Sequence, residues 1–510
     1  MHHFWILLLA VSSSPAVAGL PCGTMDHFDQ FIDAVPTPMP PRPPNASKGV
    51  RDAMSGVCTG EERSDNFVLK WGTAQVPSDD NIQKIMESLE TSWQYQLNVM
   101  GHAHPYGSSS YLFNVYIGDS GGCAPSARGM GGYYTTDSDG WPFIVLSQGV
   151  FNYPESGITT VAHEFYHAVQ DAEGAYRTGY DVQWWWEATA MWAEGEVYAA
   201  TEDYYKFLHG YAFQPHHQLN AFESVDSVNP SLDQYHQYGA SIWPRYLTEY
   251  VTDWRTIRNS WSMAQSTSDP IEIMRVDLAT ELGLDLDVVF GDFAAHNATW
   301  DYHHGDNISD FLEYIADTSM DYDYEILDQR EVAVLGSRGT SSGLQRAPSE
   351  TLPERYGYNI IRLYNPPEGD VIFRFEGDSV GSDDSEAGWQ VRVVTETPSR
   401  VRYATMEVED YAGELELETV GTEENLYLVV AAISPRWNEG ETFGYRYEVE
   451  VDSVSSGQTE NDGAGASGTQ AFNPGEKGGG CSVQPASTPG FMRWLGLAAL
   501  LGFRRRTELQ

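Results

Sequence analysis

The stretch His163-Glu164-Phe165-Tyr166-His167 sets two imidazoles and a carboxylate in an H-E-x-x-H pattern. It lies inside an amphipathic run, 157–171, whose apolar residues recur with a helical period. Residues four apart on a helix share a face, so both imidazoles point the same way. Two imidazoles at that spacing can bind one Zn²⁺ ion, and the carboxylate one residue on falls beside the metal. Glu164 is thereby placed to take a proton from water activated at that ion. A helix with two solvent-facing histidines has the same spacing, and short motifs do match by chance.

A hydrolytic zinc site has a third protein ligand and an open position for water. Glu173 follows His167 by six residues, but the position where a glycine turn would be needed is Gln170. Glu187 follows His167 by twenty residues, in Trp185-Trp186-Glu187-Ala188-Thr189-Ala190, which opens a second helical pattern over 183–200. Glu194 lies farther along the same face and reads better as a supporting or surface carboxylate. H-E-x-x-H followed by E-x-x-A at this distance resembles the gluzincin zinc peptidases, the group of thermolysin-like enzymes and zinc aminopeptidases. The resemblance implies His163, His167 and Glu187 as ligands and Glu164 as catalytic base. Thermolysin-like members carry Asn before the ligand Glu and Asp four residues after it. This chain has Trp186 and Met191 there, so the groups behind the ligands must differ.

Composition narrows the partners. The 510 residues include 73 acidic and 29 basic side chains, a formal net charge of −44. Such a charge repels phosphates and excludes nucleic acid as a partner, and it favours a solvated exterior. Aromatic residues make up 13%, more than a disordered acidic chain carries. Residues 4–11 form an apolar core and Ala16-Val17-Ala18 a small-residue cleavage site, so 1–18 read as a signal peptide, although no Lys or Arg precedes the core. An exported chain can keep disulfides. Cys22, Cys58, Cys123 and Cys481 do not have zinc-ribbon spacing. One disulfide is expected among the first three, Cys22–Cys58 being the most economical pairing, with Cys123 left free. The spacing alone does not fix the connectivity.

The elements that must position the site follow. Residues 19–64 are Pro-rich, with Pro36, Pro38, Pro40, Pro41, Pro43 and Pro44 close together. They read equally as a short propeptide or a surface arm, too short to fold as a separate inhibitory domain. A strand is expected at 67–71 and a helix over 81–100, capped by Asp79 or Asp80, with Ile82, Ile85, Met86, Leu89, Trp93 and Leu97 on one face. Further strands are expected at 111–117 and 143–146. Strand, helix, strands and then the H-E-x-x-H helix is the order the resemblance implies for a zincin catalytic domain over 65–335, with the sheet and zinc helices in 65–200 and a helical half in 201–335. In that family an edge strand beside the cleft pairs with extended peptides. Residues 131–136 are the candidate, a plain surface loop being the alternative. The second half of such a domain supplies a Tyr or His to the developing oxyanion. Tyr238 is the first choice and His236 the second, unless the tyrosine is simply a core aromatic. A helix is expected over 235–250, kinked or restarted at Pro244. His303, His304 and Asp306 read as a solvated loop.

Residues 331–350 are polar and Gly/Ser-rich, a domain boundary. Seven short segments follow, 358–364, 371–375, 390–394, 401–408, 414–420, 426–433 and 445–451, the pattern of an antiparallel β-sandwich over 351–452. Asp378, Asp383 and Asp384 flank a loop of the kind that holds Ca²⁺, although in so acidic a chain such loops are usually just solvated. Residues 453–480 read as a disordered linker. The tail 481–510 combines Gly-Cys481, a spacer, an apolar run too short to span a bilayer and Arg504-Arg505-Arg506. It resembles the MYXO-CTERM sorting tail of myxobacterial exported proteins, which implies transient membrane association and then surface display. A GPI signal is the rival. The sequons at Asn45, Asn297 and Asn307 matter only in a glycosylating host.

Taken together, 163–170, 185–190 and Tyr238-Gly239-Ala240-Ser241-Ile242 resemble the zinc metalloproteases of myxobacteria and relatives, themselves known mainly by motif. The expectation is an α+β zincin-like domain followed by an all-β sandwich. Its function is an exported or cell-surface Zn²⁺ peptidase of a Gram-negative bacterium, acting on protein or peptide. The alternatives are an inert surface binding protein on the same fold, and a zinc amidase acting on cell-wall peptide.

Overall fold

The computed structural model describes residues 21–38, 47–151, 154–178, 182–201, 205–225, 231–303, 305–318, 328–340, 343–436 and 438–453. The expected signal peptide, the sequon at Asn45, His304, the linker and the tail with Cys481 lie outside these residues.

The chain is mixed α and β. A short helix α1 (Phe28–Ile32) precedes β1 (Gly60–Arg63), β2 (Phe67–Trp71), α2 (Asp79–Ser92), β3 (Phe113–Ile117), β4 (Gly132–Thr136) and β5 (Pro142–Leu146). The five strands form one sheet in the order β1-β2-β3-β5-β4. β2, β3 and β5 run parallel, and β1 and β4 are antiparallel edges. β2, β3 and β5 are buried along their whole length and are mostly apolar; the exceptions, Lys70 and Asn114, satisfy each other at 2.6 Å. The segment 131–136 therefore does form an edge strand.

Helix α2 buries Ile82, Ile85, Met86 and Leu89, and the widened turn Trp93–Val99 continues that face with Trp93 and Leu97. Its cap is Ser78, whose hydroxyl accepts from the Asn81 backbone N–H (3.3 Å), rather than Asp79 or Asp80. Those two aspartates sit in the first turn, where they favour the positive end of the helix dipole.

Two long helices follow, α3 (Pro154–Glu173) and α4 (Gln183–Val197). Phe165 of α3 packs its ring against Phe67, Phe113 and Trp93 of the sheet layer (5.1–5.9 Å between centroids). α4 is buried from Gln183 to Gly195, with Trp184, Trp185 and Trp186 fully enclosed. Each such burial contributes roughly 1.5–3 kcal/mol or more, so both helices are held firmly.

The helical half comprises α5 (His209–Ala212), α6 (His236–Gly239), α7 (Ile242–Tyr246), α8 (Trp254–Ser262), α9 (Pro270–Asp277), α10 (Leu286–Asn297) and α11 (Gly305–Thr318). The helix expected over 235–250 breaks after Gly239, before Pro244. It restarts at Ile242, with Pro244 in the third position of α7, where an N–H has no intrahelical partner to lose. At Gly239 a Cβ would lie 2.7 Å from the Tyr211 nitrogen, so only glycine lets α5 and α6 meet this closely. Asp306 belongs to α11 rather than to a loop, while His303 is exposed.

The last part is a two-layer β structure. One sheet runs β11 (Arg400–Met406), β10 (Gly388–Thr397), β13 (Asn425–Ile433), β8 (Tyr358–Tyr364), β6 (Ala333–Leu335). The other runs β12 (Ala412–Thr419), β9 (Gly369–Gly377), β14 (Tyr445–Ser453), β7 (Gln345–Arg346). All seven expected strands form. The stretch expected only as a boundary, 331–350, adds β6 and β7. The layers join the helical half directly: Arg392 reaches Asp292 of α10 at 2.7 Å, and Tyr356 donates to Asp287 at 2.7 Å. In the acidic loop, Glu441 accepts from the backbone of Asp383 and Ser385 (3.2 and 2.9 Å). No described helix is long and apolar enough to cross a membrane.

The disulfide joins Cys58 to Cys123 (Cα–Cα 5.0 Å), not Cys22 to Cys58. Cys22 is free because it is held elsewhere, against His167 (3.3 Å). The bond closes a loop of 65 residues. Replacing both partners by serine is expected to lower the unfolding free energy by up to about 4 kcal/mol, measured by denaturant titration of wild type and variant.

Candidate metal centre

Helix α3 presents His163 and His167 on one face, ring centroids 4.8 Å apart. α4 crosses it and brings in Glu187. The Glu187 Oε2 atom lies 3.2 Å from His163 Nε2 and 3.7 Å from His167 Nε2. The Cys22 Sγ lies 3.3 Å from His167 Nε2. Donor atoms from all four side chains fall within 4.8 Å of one another, the one such group of metal-ligating side chains among the described residues. Tetrahedral zinc with nitrogen, oxygen and sulfur ligands sets its donors roughly 3.3–3.7 Å apart; the contacts of 3.2, 3.3 and 3.7 Å are close to that spacing, within a group that extends to 4.8 Å at most.

The two rings are aimed by partners behind them. His163 Nδ1 meets Glu194 Oε1 at 2.8 Å, and Glu194 is also paired with Lys206 (3.1 Å). His167 Nδ1 meets Gln170 Oε1 at 2.6 Å. The Gln170 amide cannot turn round, because its nitrogen donates to the Trp186 carbonyl (2.8 Å) and the Thr189 hydroxyl (2.9 Å). With both imidazoles neutral, as a metal requires, acceptors at the two Nδ1 atoms would keep the protons there and turn both Nε2 lone pairs to the cluster. Trp186 also stacks on His167 (6.3 Å, 26°). Gln170, Glu194 and Trp186 are thus the groups that position the two imidazoles.

The electrostatics fit a cation. Glu164 and Glu187 are buried, and each keeps one oxygen, Oε1, with no hydrogen-bond partner. An orphaned buried carboxylate oxygen is costly unless a positive charge faces it. Burial, helped by the charge of Glu187, pushes the Glu164 carboxyl up to about 7 against the pull of His163. Burial also raises Glu187, against its hydrogen bond to His163. Burial alone would lower His163, but its bonds to Glu187 and Glu194 win and lift it to about 10. His167, whose Nδ1 is backed by the neutral Gln170 amide and whose Nε2 is farther from Glu187, is driven well below its usual value by burial and by His163. In the metal-free protein the carboxylates thus hold a proton on His163, where a metal would supply the positive charge instead.

The other candidates sort clearly. Tyr238 reaches the cluster: its ring lies 6.5 Å from that of His163, and its hydroxyl donates to the Cys22 carbonyl at 3.2 Å. His236 does not. Its Nε2 bonds the Gln218 carbonyl (3.1 Å), and its ring packs on Tyr211 and His217, so it is a core histidine. Glu173 is bound to His102 and the Ala103 N–H, both at 2.9 Å. Glu194 stands behind His163 rather than on the metal side.

Sequence reasoning missed Cys22 and Thr24. The Thr24 hydroxyl donates to Glu164 Oε2 at 3.1 Å. Three cysteines before the tail leave one unpaired, a signal that could have pointed to Cys22. Both residues belong to a segment that lies on the β4 edge. Gly131 donates its N–H to the Pro21 carbonyl (3.0 Å), and Gly23 donates to the Gly132 carbonyl (2.9 Å). Gly132 itself lies against Glu164, where a Cβ would come within 2.9 Å of the Glu164 Cγ.

Residues 50–453 match a family of unknown function, DUF6055, and the chain belongs to that family. No curated protein matches the chain. Among solved structures, the pre-peptidase C-terminal domain of a collagenase from Bacillus anthracis is 12% identical, covering 24% of this chain and 96% of its own, with a TM-score of 0.17. A GH115 4-O-methyl-α-glucuronidase with specificity for decorated arabinogalactans is 8% identical, covering 60% of this chain and 41% of its own, with a TM-score of 0.14. Similarity at that level carries no argument about fold.

Metal uptake must displace the proton from His163. Affinity for zinc is therefore expected to rise with pH until His163 deprotonates at about 10, with proton release on binding near neutrality. Calorimetry in buffers of different ionisation enthalpy measures this. Uptake without proton release would contradict it.

Proposed function

We propose that the chain is an exported zinc peptidase of gluzincin type, with His163, His167 and Glu187 as ligands and Glu164 as proton carrier. The observation that carries this reading is the convergence of both Nε2 atoms and the Glu187 carboxylate beside a buried Glu164. The donor set of two imidazoles, a carboxylate and a nearby thiol suits zinc better than the hard cations. Zinc bound there would polarise a carbonyl and acidify a water.

The chain's own residues have clear parts to play. Glu164, with a carboxyl raised to about 7, can take up a proton and return it to a leaving amine near neutral pH. The Tyr238 hydroxyl already donates to a peptide carbonyl over the cluster, which suits it to a developing oxyanion. The Gly131 N–H and Gly132 carbonyl already pair with an extended main chain, the way an edge strand holds a peptide. The five-stranded sheet, the H-E-x-x-H helix and the crossing helix with the third carboxylate support a zincin-like fold. The Cys58–Cys123 disulfide supports export, since such bonds persist in oxidising compartments.

Glu164→Gln is expected to keep the metal and lower hydrolysis of an unfolded protein substrate by about 10²–10⁴-fold. Retained turnover in that variant would sink the mechanism. Tyr238→Phe should lower kcat by roughly 10²-fold with little change in KM. A change in KM alone would instead make Tyr238 a packing residue.

A further inference from the structure

The segment 21–38 lies across the candidate site. Its backbone pairs with the β4 edge on either side of Cys22, through the Pro21 carbonyl and the Gly23 N–H. That register sets Cys22 over the cluster. Its Sγ is 3.3 Å from His167 Nε2, and its thiol hydrogen points at Glu164 Oε2 (3.5 Å). The Cys22 carbonyl takes the Tyr238 hydroxyl. Thr24 caps the same Glu164 oxygen and accepts the Tyr134 N–H (2.8 Å). Every polar group assigned above to a peptide substrate is thus engaged by this one segment.

We propose that Cys22 is a fourth, removable ligand of the metal, and that residues 21–33 form an inhibitory strap in the place of a substrate. This rests on the peptidase reading. The thiol is not the sole evidence: Glu187, whose Oε2 faces both Nε2 atoms, and the adjoining Glu164 are buried carboxylates that each keep an unpartnered Oε1, a deficit that a cation in the cluster would relieve. A catalytic zinc keeps its fourth position open to water; here the Cys22 sulfur, 3.3 Å from His167 Nε2, would take that position. Ligation takes the thiolate, so the proton on Sγ must leave, and Glu164 is the acceptor it already faces.

The strap is anchored well beyond Cys22. Phe31 is fully buried, with its ring against Tyr134 and Trp186 (5.1 and 5.4 Å), and Phe28 packs on Trp186 at 5.5 Å. Gln30 donates to the Thr136 carbonyl (2.8 Å), and Arg177 donates to the Ile32 carbonyl (2.9 Å). These contacts hold the strap without a covalent tie, because the disulfide uses Cys58 and Cys123 and leaves Cys22 out. A backbone cut after Pro38 would leave the strap held by these contacts, by the His27 ring on Tyr133 (4.4 Å) and by the hydrogen bonds of Thr37 to Tyr106, Asp139 and Trp141, none of them covalent. The strap also lies ahead of the span 50–453 that matches the family.

The test uses the full chain loaded with Co²⁺, a spectroscopic substitute for zinc. The uncut protein should show a thiolate-to-cobalt charge-transfer band in the near ultraviolet. Cys22→Ser should lose the band and keep the metal. A second variant carries the recognition site of an unrelated protease after Pro38. Cutting there and washing out the released strap should abolish the band, leave the metal bound and switch on hydrolysis of casein by the zinc form. Absence of the band in the uncut cobalt protein, or its survival in Cys22→Ser, overturns the ligand. Loss of the metal along with Cys22 also overturns the proposal, because the four residues would then be a closed structural site. Equal hydrolysis before and after the cut overturns the inhibitory role. If the band and metal respond as expected but the cut chain hydrolyses nothing, the peptidase reading fails and the thiolate ligand stands. Failure of the protein to take up any metal overturns both.

Discussion

The structure turns on one electrostatic problem: three carboxylates and two imidazoles enclosed together. Glu164, Glu187 and Glu194 are all buried beside His163 and His167. Removing such groups from water costs several kcal/mol each unless opposite charge or hydrogen bonds compensate. Lys206 answers Glu194. Among the described residues no Lys or Arg is paired with Glu187 or Glu164; His163 alone offers Glu187 a charge, and the Oε1 atoms of both carboxylates have no hydrogen-bond partner. A divalent cation between the two Nε2 atoms and Glu187 would resolve this at once, where a proton on His163 does so only in part.

Much of the surrounding fold serves to keep those groups from relaxing apart. α3 is pressed against the sheet by Phe165, and α4 is locked by three consecutive tryptophans. Trp186 has a double part: its carbonyl fixes Gln170, and its ring faces His167. On the other side, the close approach of α5 and α6 at Gly239 carries Tyr238 to the rim. The β4 edge completes the site by offering main-chain groups along one side. The same enclosure lifts the Glu164 carboxyl up to about 7.

The legibility of this arrangement in the sequence followed from how local each signal was. The H-E-x-x-H helix, the buried strands and all seven segments of the β layers were readable because their periodicity is continuous along the chain. Glu187 was readable through its spacing and Glu194 through helical phase. Residues whose role is set by contacts between distant segments were not. Cys22 is 145 positions from His167, so it read as a disulfide partner. His236 sat beside Tyr238 in sequence, yet short-helix geometry turned it to the Gln218 carbonyl. Gln170 read as a missing glycine, when its amide is what orients His167. The strands of 331–350 escaped notice because two or three residues are too few to show alternation.

The central claim is that His163, His167 and Glu187 form a metal site, and metal content tests it most directly. Elemental mass spectrometry of the purified chain, beside a His163→Ala/His167→Ala variant, should find about one zinc per wild-type chain and none in the variant. A chain that takes up no zinc even after incubation with it would contradict the account.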